Sequence, residues 1–332
     1  MNFLNRRLLL TLAVCFAVSC GSRAPSRQSN RTEIRLATTR GGLFYLPVFV
    51  AGPVGCFEKQ NLDVRIEETE GAPKSMTALL AGTVDVIAGG YLQTLDLVAQ
   101  GRQLRAFLLI QQFPGQALVV SPRASKPIRA IEDLKGATIG VVSVGTEAHR
   151  IFNYVLRRHG MRPEDVSVIG VGPSVTQVAS LERGKVDAMF ATASQIPFLQ
   201  SRHSDLRMLL DLRTSELTKA ALGVEKMAET VLLAQESWLR SNPDTARRLA
   251  GAGQCALAWI QDHTAEEIRE RLPDSCRSPD AGSDLEAIAT EKQMLSLDGR
   301  MTRELHEAAV RIAGKTNQAN LAQAYTNEFL KP

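Results

Sequence analysis

From residue 33 onward, short apolar runs alternate with amphipathic stretches, and glycines close many of them. This alternation predicts strands followed by helices. Ile34 and Leu36 alternate with polar neighbours, predicting a strand over 33–38. Pro47 suits a first helical turn and opens a predicted helix over 46–57. Strands follow at 63–67, 84–88 and 104–111. Helices at 73–81 and 92–100 stop at Gly82 and Gly101, the usual C-cap residue. The same order then restarts, with strands at 117–120, 138–142, 166–171, 186–190 and 208–212 and helices at 131–134, 147–159 and 174–183. Beyond Pro243 the pattern is helical at 244–263, 265–272, 284–295 and 303–314.

Strand–helix alternation of this kind implies an α/β architecture, with mainly parallel sheets covered by helices on both faces. Leu79–Gly90 and Leu181–Ala191 share the pattern Leu-x-x-Gly-x-Val-Asp, one copy in each block. In each copy a helix ends at glycine and an aspartate begins a buried strand. The repeat argues for two lobes built on one plan.

The amino terminus follows a different rule. Arg6 and Arg7 precede eleven mostly apolar residues, Leu8 to Val18, a run too short to span a bilayer but proportioned as a secretory signal. It ends Ala17-Val18-Ser19-Cys20-Gly21, which resembles a bacterial lipobox apart from Ala17, where leucine is preferred. Cys20 is therefore the expected lipidation site, with 1–19 the signal peptide and 20–31 a tether of Ser, Arg, Asn and Pro. An ordinary signal cut near the same place is the alternative. Cleavage before Cys20 removes two arginines and no acid, so the formal charge falls from +4 to +2. The expected address is exported and lipid-anchored to the bacterial cell membrane, facing the periplasm or cell exterior.

Composition narrows the function. Of 332 residues 44% are hydrophobic, enough for a large core, and the mild, interspersed charge excludes a basic nucleic-acid stripe. In an oxidising compartment Cys255 and Cys276, separated by a predicted helix and turn, are the expected disulfide pair. Cys56, in an apolar context, reads as a buried, inert thiol.

Several blocks carry a resemblance. Ala51-(x3)-Gly55-Cys56-Phe57-Glu58-Lys59-Gln60-Asn61-Leu62-Asp63-Val64, then Leu79–Val86, Ile131–Val141, Gly184–Ala188 and Ser241–Asp244 stand in one order. Together they resemble bacterial periplasmic substrate-binding proteins of the sulfonate/nitrate/taurine and thiamine-precursor group, over about residues 33–263. Cys56 stands where that family usually has an aromatic. The resemblance implies a type II periplasmic-binding-protein fold, with two α/β lobes, two crossings and a ligand cleft. The expected division is 32–112 for the first part of lobe 1, 113–225 for lobe 2, and 226–332 for the completion of lobe 1 with carboxy-terminal helices. It further implies a monomer that captures a small sulfonate-, nitrate- or thiamine-precursor-like molecule for a membrane permease with an ATPase subunit. No cofactor, metal or nucleic acid is expected.

In such sheets ligands bind beyond the carboxyl ends of strands. Ser143-Val144-Gly145-Thr146 runs from a strand into a helix, whose first N–H groups can take an anion. Glu147 in that turn, facing the cleft, would repel an anion and favour an amine, but an anionic ligand is the expectation. Arg40 and Gly42 in the first loop, Tyr45 and Tyr91, Ser75, Gln112 at the first crossing, and Thr192 complete the candidate ligand-binding set. His149 reads as a surface residue. Gly-x-Ser-x-Gly, Gly-x-x-x-x-Gly-Lys-Ser/Thr and His-Glu-x-x-His are all absent, and the five histidines lack metal-ligand spacing. A related fold makes the thiamine pyrimidine with a cysteine-rich motif that this chain lacks. A non-enzyme is expected, with a ligand-binding sensor lipoprotein as the alternative to a transport protein.

Overall fold

The computed structural model describes residues 31–331 apart from 174, 279 and 317. The signal peptide, Cys20 and all of the tether except Arg31 lie outside the described residues. No helix among the described residues is long and apolar enough to cross a membrane.

Among the described residues, ten strands form two five-stranded sheets. They are β1 (Thr32–Thr39), β2 (Leu62–Thr69), β3 (Val86–Gly90), β4 (Leu104–Leu109), β5 (Gln116–Val120), β6 (Thr138–Val141), β7 (Ser167–Gly170), β8 (Ala188–Thr192), β9 (Met208–Asp211) and β10 (Thr230–Gln235). The first sheet has the order β2-β1-β3-β10-β4 and the second β7-β6-β8-β5-β9. β1 pairs with β2 and β3 in parallel, as the alternation requires. The exceptions are systematic. β10 runs antiparallel to β3 and β4, and β5 antiparallel to β8 and β9. Each is the strand by which the chain enters a sheet from the other one, and each takes the fourth place in its sheet.

The repeated aspartate has one job in both sheets. Asp85, just before β3, accepts the Arg35 backbone N–H of β1 at 2.9 Å and pairs with the Arg35 guanidinium. Asp187, just before β8, accepts the N–H groups of Thr138 in β6 (2.8 Å) and Ser125 (2.7 Å). Each carboxylate thus ties the start of its strand to the neighbouring parallel strand. Against the opposing effect of burial, the Arg35 guanidinium and backbone N–H hold Asp85, and the Thr138 and Ser125 N–H groups hold Asp187, below the usual carboxylate range.

The predicted helix over 46–57 is two short helices, Leu46–Ala51 and Cys56–Lys59, separated where Gly55 takes φ +76°. Only glycine adopts that angle without strain. The long helix Pro243–Asp262 packs across both. That contact overturns the expected Cys255–Cys276 pairing. Cys255 is disulfide-bonded to Cys56, with Cα atoms 5.8 Å apart across 199 residues of chain. Cys56 is therefore no free thiol. Cys276 remains free and buried in the turn Asp274–Cys276, where burial pushes its thiol up to about 12.

The crossings lie side by side. Ile110 and Gln111 donate their backbone N–H groups to the Thr230 carbonyl (2.7 and 3.1 Å), and Glu229 donates to the Gln111 carbonyl at 3.0 Å. A third segment completes the junction, as Gln112 donates to Met294 O at 3.0 Å and Ser296 to Ile110 O at 2.8 Å.

Candidate functional site

A cavity of about 630 Å³ opens between the two sheets, at the carboxyl ends of β1, β3 and β8 and against the crossings. This volume lies within the range of small-molecule sites. From the first lobe its wall takes Thr39 to Tyr45, Gly90, Glu229 and Thr230. From the second it takes Gln116, Thr146, Glu147, Gln177, Thr192 and Gln195.

Six expected site residues line it: Arg40, Gly42, Tyr45, Thr146, Glu147 and Thr192. Five do not. Tyr91 begins the helix Tyr91–Ala99, so its ring turns into the core and its hydroxyl meets His306 Nδ1 at 2.7 Å. Ser75 is fully buried and bonds the Thr69 hydroxyl at 2.8 Å. Gln112 donates its amide to Leu295 O at 3.2 Å and so supports the junction. Ser143 packs its hydroxyl against Gly71 of the first lobe. Gly145 takes φ +86°, donates its N–H to His149 Nδ1 at 3.0 Å, and accepts the Arg150 guanidinium at its carbonyl. The start of helix Glu147–Arg158 is thus partly occupied by its own residues, which weakens the anion cradle expected there. Burial and the nearby Arg150 hold His149 below its ordinary value, as suits an acceptor rather than a surface cation.

Glu147 serves neither as anion repeller nor as free amine partner. Its carboxyl reaches across to the first lobe and accepts the N–H groups of Leu92 (3.1 Å) and Gln93 (2.9 Å), capping helix Tyr91–Ala99. Gly90 makes room, since a Cβ there would lie 2.0 Å from Glu147 Oε1. One turn on, Arg150 Nε meets Asp96 at 2.7 Å. Burial pushes the Glu147 carboxyl up to about 7, against the pull of Arg150 and the two backbone donors.

The deep wall also holds two acids that no local motif marks. Glu229 and Glu291 are 3% and 1% exposed and both line the cavity. Burial raises Glu291 to about 8 and, with the charges of Glu147 and Glu291, raises Glu229 well above the carboxylate range. They are joined through Gln111, whose amide nitrogen donates to Glu291 Oε2 and whose oxygen lies 3.0 Å from the Thr230 hydroxyl. That hydroxyl is 2.5 Å from Glu229 Oε2. On the second lobe Gln177 and Gln195 bond through their amides at 2.8 Å, fixed in turn by Phe190 O and Thr192 N. Two arginines of the wall are hydrogen-bonded to acids, Arg202 to Glu182 (2.6 Å) and Arg277 to Asp274, whereas Arg40 is exposed and lies 3.7 Å from Glu68, beyond hydrogen-bond distance. No group of three His, Cys, Asp or Glu residues among those described can hold a metal ion.

Two α/β lobes with exchanged strands and a cleft at the strand ends define the periplasmic-binding-protein fold. The alkanesulfonate-binding protein SsuA of Xanthomonas axonopodis pv. citri, solved with MOPS bound, shares it at TM-score 0.67 and 16% identity, over 89% of this chain and 98% of that one. The chain belongs to the NMT1/THI5-like family, whose model matches residues 45–267. A solved Bordetella bronchiseptica RB50 protein is similar at 30% identity and TM-score 0.82, over 90% of this chain and 96% of that one. YtlA of Bacillus subtilis, named as a binding protein, is 25% identical over 80% of this chain and 75% of its own length. A Saccharomyces cerevisiae 4-amino-5-hydroxymethyl-2-methylpyrimidine phosphate synthase, THI13, is 26% identical over 65% of this chain. The chain spans 63% of that enzyme.

Proposed function

We propose that the protein is the solute-binding component of an ATP-driven importer, capturing one small organic molecule between its lobes and delivering it to a membrane permease. The cavity of about 630 Å³ at the strand ends, flanked by two adjacent crossings, carries this reading. Two lobes joined at a narrow junction move as rigid bodies about it. The lobes in this reading are 32–112 with 226–332, and 113–225. The chain acts as a monomer, exported and held on the membrane through acylated Cys20. It is a carrier rather than an enzyme, a reading supported by its similarity to the binding protein YtlA and to alkanesulfonate-binding SsuA. Calorimetric titration with sulfonates, taurine, nitrate, riboflavin and aminopyrimidines tests the reading. Saturable one-to-one binding without turnover is expected, and chemical conversion of a bound compound would overturn it.

A further inference from the structure

We infer that the cavity is built for a small organic cation, whose positive nitrogen pairs with the Glu229 carboxyl and displaces that group's proton to solvent. The inference rests on the solute-binding reading and names the ligand class.

The donor and acceptor roles along this wall constrain where a proton can sit. The Thr230 hydroxyl has one hydrogen and two oxygen neighbours, Glu229 Oε2 at 2.5 Å and Gln111 Oε1 at 3.0 Å. The Gln111 oxygen can only accept, because its amide nitrogen donates to Glu291. The Thr230 hydrogen is therefore used on Gln111, and the bond to Glu229 closes when Glu229 carries a proton and donates it to Thr230. The result is a directed chain from Glu229 through Thr230 and Gln111 to Glu291, all four residues being 3% exposed or less.

The charges facing Glu229 have one sign. Glu147 reaches it from helix Glu147–Arg158 and Glu291 from helix Ala281–Met294, and the Tyr45 phenol stands on the loop side. The Glu147 oxygens are taken by helix Tyr91–Ala99, and Arg150, whose charge acts on that carboxyl, is paired with Asp96. Of the wall's own cations, Arg202 and Arg277 are hydrogen-bonded to acids, and Arg40 is an exposed guanidinium on the outer loop, 3.7 Å from Glu68. An anionic ligand would find no free hydrogen on this cluster, because the Glu229 proton is given to Thr230, and would oppose ionisation of its acids. A cation supplies the counter-charge that the protein withholds.

A second observation points to a ligand from the opposite lobe. Gln116, 8% exposed at the start of β5, lines the cavity, and its amide has no hydrogen-bond partner among the described residues. The Thr146 hydroxyl, also on the wall, is buried without a partner. The Gln116 carbonyl can accept a ligand N–H across from Glu229, while Phe44, Tyr45 and Phe190 offer surface to the organic part. The step balances: the carboxyl O–H bond breaks, the proton leaves to water, and the carboxylate pairs with a cation that keeps its own protons.

The test is calorimetry with choline, agmatine and benzamidine against nitrate, methanesulfonate and uracil, in buffers of different ionisation enthalpy. At least one cation should bind one to one, with about one proton released per ligand and affinity rising by up to about tenfold per pH unit while Glu229 is protonated in the free protein. Glu229→Gln keeps the neutral shape, so thermal stability should hold. Cation affinity should drop roughly 30-fold or more, and proton release should vanish. Glu291→Gln, should Glu229→Gln not fold, is expected to weaken cation binding in the same direction. Failure of all three cations at 10 mM, cation binding without proton release, or tighter binding of nitrate or methanesulfonate would overturn the proposal. Binding of either anion would leave the solute-binding reading standing.

Discussion

Replacing Glu147 with alanine removes a contact that the second lobe makes to the first, and its cost should depend on pH. Two buried backbone N–H groups, of Leu92 and Gln93, lose their acceptor. An unpaired buried donor costs about 1–3 kcal/mol, and water reaching in from the cavity recovers part, so about 2–4 kcal/mol is expected for the pair. Against this stands the burial of the carboxyl. Its ordinary value of 4.5 is raised to about 7 in the folded protein. Between these values the unfolded chain ionises and the native chain does not, so Glu147 lowers stability as pH rises through that window, by about 3 kcal/mol in all. Alanine escapes this loss. Glu147→Ala should therefore destabilise by about 2–4 kcal/mol at pH 4.5, where the native carboxyl is neutral, and by close to nothing at pH 8. Urea unfolding of both proteins at a series of pH values, read as the difference between them, cancels the titration of other groups. A difference that is the same at pH 4.5 and pH 8, or absent at pH 4.5, would show that Glu147 neither caps the helix nor titrates as described.

Other consequences are equally direct. Gly90→Ala should destabilise by about 1–3 kcal/mol through overlap with Glu147, and should become nearly neutral in a Glu147→Ala background; a double-mutant cycle reads the coupling. Reducing Cys56–Cys255 releases a loop of 199 residues, worth up to about 5 kcal/mol on the chain-entropy model, so the melting temperature should fall sharply with reductant. Alkylation in non-reducing denaturant should tag Cys276 but neither Cys56 nor Cys255, whereas the native protein should leave Cys276 unreacted. Cys20→Ser should move the protein from membranes into the soluble exported fraction; a variant that still pellets in high salt would remove the lipid anchor from the reading.

Much of the architecture was legible because it is written locally. Apolar alternation and glycine stops located the strands and helices of both lobes, and Asp85 and Asp187 marked the repeat that the two sheets share. What escaped is set by tertiary placement. The stretch 213–242 held no expected element, yet Val231 to Ala234 form the buried middle of β10, which completes the first sheet in the antiparallel sense. Cys56 and Cys255 are 199 residues apart, and only the packing of helix Pro243–Asp262 brings them together. The strand-end rule found the cavity wall at Arg40, Tyr45, Thr146 and Thr192. It misplaced Tyr91, whose helix starts one residue earlier than expected and turns the ring inward. Gln111, Glu229 and Glu291 come from three separate segments and share no spacing. The available signal was chemical: an acid, Glu229, beside the apolar run 231–234.

The central claim is that this chain holds a small molecule by closing two lobes around it. Small-angle scattering on the protein with and without the compound that calorimetry selects tests this most directly. A smaller radius of gyration is expected at saturation, with one molecule bound per chain and recovered unchanged. Saturable binding that leaves the scattering curve unaltered would contradict closure.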